Sequence, residues 1–589
     1  MKGPWARSRG PAIAAVVAVS TGLVLFGQAP PADPLIQAMH DELERSRKLT
    51  LNGIEPPYFV EYLVDSSELF AVTASLGGLV SRRHEIYREP DIEVRVGNYQ
   101  FDNTNFAGGG FGSGTGYDLG RFPIEDSYQV LRRYFWLDTD AAYKSAVEAF
   151  SRKRAALQNV TEAERLSDFA RAEPVHHIHP FQPLAIDEDA WTRRVRTLSG
   201  VFAKFPEVKD SSVELESSAG GVVMANTEGT EVREPENVTF LRVRAIAQAA
   251  DGMIMRDAVT YHALSAAGMP GDAELTRGVT ALASNVAALS HAPMGEDYNG
   301  PVLFEGVAGA QILAEVLGKS LALARRMVAD GGRGGALPPS ELEGRLGARV
   351  LPDTFDVLDD PTQKEWRGRP LFGSYDVDRE GVVAKPLRLV EKGVLKGYLL
   401  TRQPVRGFEG SNGRARMPGA FGASTASFSN LFISSSETAP VGELKKKLLD
   451  LCKARGKPYG IIVRKMDFPS SASFEEARRL FRAAQGGQPV SLPVLVYRLY
   501  PDGREELVRG LQFRGLTVRS LKDILAAGDD TAVFEFMDSV APFALMGASS
   551  FTAEAAVIAP SLLVDDLELH PAEDEQPKLP VVPAPEPTR

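Results

Sequence analysis

Residues 300–320 read GPVLFEGVAGAQILAEVLGKS. The run up to Phe304 is apolar and of strand length. Gly306 interrupts it, and from about Ala308 the residues Ile312, Leu313, Val316, Leu317 and Leu321 give a helix one apolar face. A buried-type strand therefore leads straight into a helix, as in a mixed α and β fold. Toward the C-terminus, alternating strands and turns dominate from Arg349. Toward the N-terminus, Leu275, Val279, Leu282, Val286 and Leu289 recur at helical spacing. Between Asp210 and Ala250 the segments SSVELESS, GGVVMANTEG and VTFLRVRAIAQA read as strands, with Asn226–Gly229 as a turn. Helical sequence is predicted from about Glu125 to Arg171, with Thr161 and Glu164 as a capping box for its last segment. YFVEYLV, FAVTASLGGLV and IEVRVG read as strands from Tyr58 on. Residues 33–49 predict a short amphipathic helix, with Leu35, Met39 and Leu43 four apart.

Composition narrows the function. The 589 residues carry 66 Lys+Arg against 77 Asp+Glu, a net charge of −11. No basic surplus marks a nucleic-acid binder. With 44% hydrophobic and 24% charged residues the balance is globular. The single cysteine, Cys452, excludes an intrachain disulfide and any zinc site built on two or more thiolates. It sits in the Lys-rich helix LKKKLLDLCKARGK and reads as a structural thiol.

The ends carry different signals. Lys2, Arg7 and Arg9 precede an apolar run from Pro11 to Gly27, and Pro-rich polar sequence follows. Residues 1–32 therefore read as a secretory signal peptide or, if uncleaved, as an N-terminal membrane anchor. No later stretch of 18 or more apolar residues appears, which predicts a soluble body in an exported compartment, periplasmic or cell-envelope. The last 20 residues, from His570, contain six prolines and read as a disordered tail.

Local motifs exclude several chemistries. The glycine-rich stretch 107–120 (AGGGFGSGTGYDLG) has no Gly-Lys-Ser/Thr opening a helix, so it reads as a surface loop and not a phosphate cradle. Gly422-Ala-Ser-Thr-Ala lacks the final glycine of a nucleophile elbow. H-E-x-x-H is absent. His176, His177 and His179 (VHHIHP) are the densest histidine group. In a strand His177 and His179 share one face, but Pro174 and Pro180 bracket them and nothing nearer than Glu173 adds a carboxylate. The expectation is an extended loop without a metal.

Six segments then agree, in order, with one family. MANTEGTEVRE (224–234), GPVLFEGVAGAQILAEVLGKS (300–320), VLDDPT with YDVDREGV (357–362, 375–382), LVEKGVLKGYLLTRQPVR (389–406), EGSNGRARMP with ASFSNLFI (409–418, 426–433) and APSLLVDDLEL (559–569) resemble the TldD/PmbA (TldD/TldE) family, also named for modulation of DNA gyrase. The resemblance implies an α+β fold in two parts. These are an N-terminal α/β domain over 33–290 and a larger β-rich domain over 291–569, flanked by the 1–32 signal and the 570–589 tail. It also implies a site. TldD-type members are zinc metalloproteases that place H-E-x-x-x-H on the helix after the strand, with a later cysteine as third ligand. PmbA-type members lack these ligands and pair with TldD subunits. The family is linked to degradation of unfolded peptides.

Ala314-Glu315-Val316-Leu317-Gly318-Lys319 occupies the place of H-E-x-x-x-H here, and Met546 stands where the cysteine is expected. Alanine has no donor atom, an ammonium has no lone pair, and a thioether suits softer metals. Glu315 is left as the remnant of the family's general base. Residues five apart lie about 140° apart on an α-helix, so two such histidines require a locally widened turn. Without them an ordinary helix is expected, with Glu315 and Lys319 at i,i+4 and Lys319 reaching an acid or snorkelling to solvent. The reading is an exported homologue without zinc or other cofactor and catalytically inactive. It would bind peptides or unfolded segments, or pair as a homodimer or with a TldD-like subunit, and touch a membrane only through an uncleaved N-terminus. The alternatives are a peptidase using Glu315 with histidines from the N-terminal half, and a structural protein of the cell envelope.

Overall fold

Phe59–Ser75 is one uninterrupted strand of 17 residues, where the sequence suggests two. It reverses at Leu76 and Gly77, both at positive φ, as the tight turn of a right-twisted hairpin requires. It returns as Gly78–Arg95. On its other side lies Val208–Asn226, also unbroken. The glycine pair that resembles a break is a point of close approach. Gly220 and Gly221 stand opposite Ser67 and Ser66, and a Cβ on Gly220 would come within 2.0 Å of the Ser66 carbonyl oxygen.

The chain is seen as a computed structural model that describes residues 33–50, 56–107, 122–158, 166–329, 340–418, 424–467, 490–539 and 552–572. The N-terminal segment 1–32, most of the glycine-rich stretch, Met546 and the tail from 573 lie outside the described residues. Among the described residues no helix is long and apolar enough to cross a membrane.

The N-terminal part is a seven-stranded sheet. Its main path runs Ile254–Ala263, Val238–Gln248, Val208–Asn226, Phe59–Ser75, Gly78–Arg95, and Glu231–Pro235 and His176–Ile178 are added at the side. Helices cover one face at both ends. α1 (Pro34–Ser46) and α2 (Tyr128–Ala156) bury Leu35, Met39, Leu131 and Phe135 against Val60, Tyr62 and Val64. α3 (Glu188–Ser199) and α4 (Asp272–His291) bury Trp191, Val195, Leu275 and Val279 against Phe70, Val72 and Ala74. The even-numbered residues of one strand thus serve both cores. Leu63, on the opposite face, meets Val377 of the C-terminal part.

α2 ends at Ala156, and Ser167–Arg171 is not helical. The chain doubles back, so that Asp168 pairs with Lys153 of α2 at 2.6 Å and Phe169 lies beneath the Arg95 guanidinium. Thr161 and Glu164 lie outside the described residues.

The C-terminal part contains two larger sheets. Tyr298–Phe304 lies inside an eight-stranded one, between Leu562–Pro571 and Gly460–Met466. Leu562–Pro571 pairs His570 with Gln512, so the ordered strand continues past Leu569. Phe355–Asp359, Asn430–Ser435, Thr552–Ala559 and Ala532–Ser539 belong to a six-stranded sheet. α5 (Val307–Leu313) leaves Tyr298–Phe304 and enters the largest core, with Ile312, Leu313, Val316, Leu317, Phe428, Val463 and Val557. α6 (Val441–Ala454) buries Cys452 beside Leu303 and Leu448.

Candidate functional site

The residues expected at a metal motif stand on the continuation of α5. Gly306, at φ +60°, turns the chain from strand to helix, and its N–H donates to Ser561 Oγ at 2.7 Å. Gly309 lets the helix pass against the Pro560–Ser561 turn, where a Cβ would lie 2.5 Å from the Pro560 carbonyl oxygen. Beyond Leu313 the helix does not remain α. Ala314–Gly318 is a π turn, followed by a 3₁₀ turn at Lys319–Leu321. The ordinary helix expected for a chain without the histidines is therefore not found. The widened turn, with its i→i+5 bonding, is present although Ala314 and Lys319 fill the histidine places. Gly318 packs closely in this turn, where a Cβ would stand 2.6 Å from the Phe428 ring.

The side chains of this turn are engaged with the protein. Ala314 is fully buried. Glu315 is 8% exposed, and its carboxylate accepts bonds from Gln311 Nε2 at 2.9 Å, Ser491 N at 2.7 Å and Ser491 Oγ at 2.7 Å. Burial pushes this carboxyl up, against the opposing pull of Ser491, Gln311 and Lys319. Its hydrogen-bond partners are not histidines. Lys319 contacts Asp538 on Ala532–Ser539, and the other oxygen of Asp538 accepts Ser427 Oγ at 2.6 Å. Met546 lies outside the described residues. This donor set does not fit zinc: one histidine place has no donor, the other holds an ammonium paired with an acid, and both Glu315 oxygens are taken. Gln311 could be found from the sequence as the i−4 neighbour of Glu315. Ser491, Ser427 and Asp538 come from distant segments with no local signal.

The segments that carry the resemblance meet elsewhere, in buried charged contacts between the two parts and within the C-terminal one. Arg402, 1% exposed, donates to both carboxylate oxygens of Glu228 at 2.8 and 2.7 Å and to the Ala170 carbonyl, and its backbone N–H donates to Glu380. Arg414 pairs with Asp359, both fully buried, and Asp359 also accepts Ser429 N–H at 2.7 Å. Arg402 thus joins TEG and DREG, and the Arg414–Asp359 pair joins DD, SNGR and FSN, by ion pairs and hydrogen bonds. Burial, and then Glu93, pushes Glu61 up to about 8. Burial also raises Glu93 to about 7, and burial with Asp378 raises Glu380 to about 7.

Comparison with known proteins agrees with this architecture. Residues 297–466 match the PmbA/TldA metallopeptidase C-terminal domain. A metalloprotease of Archaeoglobus fulgidus is 38% identical over 78 residues, 13% of this chain and 17% of that protein. A metalloprotease of Methanothermobacter thermautotrophicus is 42% identical over 64 residues, 11% of this chain and 13% of that protein. The matched segments thus span less than a fifth of either relative. The fold extends further. A Thermotoga maritima protein named for modulation of a DNA gyrase superimposes with a TM-score of 0.54 at 16% identity, over 91% of this chain and 99% of that one. TldE from Thermococcus kodakarensis does so with a TM-score of 0.54 at 12% identity, over 90% and 99%. The chain thus carries a PmbA/TldA-type C-terminal domain over residues 297–466 and shares the fold of these structures across nearly its whole length.

Proposed function

We propose that this chain is an exported, non-catalytic member of the TldD/PmbA family, a peptide-binding or partner subunit that acts beside a TldD-type protease. The observation that carries the reading is the widened turn at Ala314–Gly318 with its chemistry replaced. A zinc protease needs metal-activated water and a free general base. At this turn a Lys319–Asp538 pair stands at one histidine place, and Glu315 is held by Gln311 and Ser491. The likeness to a TldE fold supports a subunit role. Peptide capture by strand addition would suit substrates chosen for being unfolded and not for sequence. Gly78–Arg95 ends its sheet without a further strand partner among the described residues.

The test combines an assay and a capture. The purified full chain is expected not to cleave an unfolded casein-type substrate, and to co-elute with a TldD-type subunit when the two are produced together. Cleavage that is abolished by chelation and by Glu315→Gln overturns the non-catalytic reading. Separate elution of the two subunits overturns the partner role.

A further inference from the structure

The histidine group bracketed by prolines does not form a loop. His176–Ile178 is a short strand parallel to Glu231–Pro235, with His177 opposite Val232, and His179 N–H donates to the Arg233 carbonyl at 3.0 Å. Alternation along the strand turns His177 and His179 to the same face, where their ring centroids are 4.3 Å apart. The C-terminal part brings a carboxylate to that face. One ligand atom each from His177, His179 and Asp376 lie within 4.8 Å of one another.

A second carboxylate completes the set. Glu234, on the paired strand, places Oε2 2.9 Å from His177 Nε2, while its Oε1 accepts the Asp376 N–H at 2.9 Å. His177 Nε2 is also 3.7 Å from Asp376 Oδ2. The His177 nitrogen and Glu234 Oε2 are both buried, and neither has an aligned hydrogen-bond partner. A ring lone pair and a carboxylate oxygen at that distance repel unless a proton or cation lies between them. Tetrahedral ligands about 2.0–2.1 Å from zinc stand about 3.3–3.4 Å from each other. Separations of 2.9 and 3.7 Å bracket that value, and His179, which is exposed, has a ligand atom within 4.8 Å of those of His177 and Asp376. The nearest competing cation is Lys364, whose Nζ lies 3.3 Å from Asp376 Oδ2 and whose side chain is 67% exposed.

We propose that His177, His179, Asp376 and Glu234 bind one divalent cation of the zinc class, which ties the N-terminal sheet to the C-terminal part. Two imidazoles with two carboxylates favour Zn²⁺, Co²⁺ or Ni²⁺ over magnesium and calcium, which prefer all-oxygen shells. The role is structural: the four donors come from three segments in two parts of the molecule, and the cation would cross-link them.

The full chain, stripped with chelator and dialysed, is titrated with ZnCl₂ and followed by elemental analysis and thermal unfolding. The expected result is one zinc per chain and a melting midpoint raised by at least about 2 °C. Cobalt in place of zinc should give the visible bands of a tetrahedral site. His177→Ala and His179→Ala should each weaken binding at least tenfold, whereas His291→Ala, a surface histidine elsewhere, should leave it unchanged. Lys364→Gln should tighten it. Binding no stronger than in the His177→Ala/His179→Ala variant overturns the proposal and leaves the proposed function standing. Zinc that survives the double substitution and is lost with Glu315→Gln overturns both.

Discussion

Asp359 and Arg414 show at the scale of one residue pair why the family's short segments recur in order. Each alone is a buried charge, and together with Ser429 they satisfy one another. Asp359→Ala leaves an uncompensated guanidinium in the core and is expected to lower the unfolding free energy by about 3–5 kcal/mol, read from urea denaturation. Lys319 and Asp538 permit a finer test. Lys319→Met and Asp538→Leu should each destabilise, and the double variant by less than the sum, because the second change removes the charge stranded by the first. The sequence named Ala314, Glu315 and Lys319 as the places of interest. It did not disclose what holds them, since Ser491 and Asp538 join the turn only through the packing of remote strands.

At the scale of the element, the π turn is the sharpest departure from expectation. Helical spacing from Ile312 to Leu321 was legible, because periodicity reports which face is buried. The bonding pattern was not, because a single widened turn preserves much of that periodicity. In an ordinary helix Gly→Ala is favourable by about 1 kcal/mol. Gly318→Ala is expected to have the opposite sign, a loss of about 1–3 kcal/mol from overpacking against Phe428, partly recovered by Phe428→Leu. Thermal unfolding of the single and double variants checks it. The long strands were misjudged for a related reason. Asp65–Glu68 and Gly220–Gly221 carry the composition of turns, yet lie in the middle of ladders, where the pleat is buried against the C-terminal part or approached closely by another backbone.

The whole molecule is governed by acids enclosed between its two parts. Glu61, pushed up to about 8, and Glu93 and Glu380, at about 7, bind protons more tightly folded than unfolded. Their stabilising contribution is fully present below the unfolded carboxylate range, near 4.5, and is lost as the pH rises through 7 to 8. The melting midpoint should therefore fall between pH 5 and pH 9. Glu61→Gln, which can keep the bond from Asn226, should flatten that fall. A midpoint that rises over this interval in the wild type would contradict the assignment. The two-part α+β architecture was legible from the order of the six segments. This acidic layer was not, because Glu61, Glu228 and Glu380 are far apart in the chain and nothing local marks them as neighbours.

The Arg402 clamp also has a consequence for biosynthesis. Glu228 precedes its guanidinium partner by 174 residues. At ordinary elongation rates of about 5–20 residues per second, roughly 10–35 s pass between them on the ribosome. During that interval Glu228 on the nascent N-terminal sheet lacks its guanidinium partner, and that face stays hydrated and easily opened. Ribosome-stalled chains ending before residue 402 should be cut quickly by added protease, and chains stalled well beyond it slowly. Closing that face is then a neutralisation, and its earliest moment is set by where in the message that arginine is encoded.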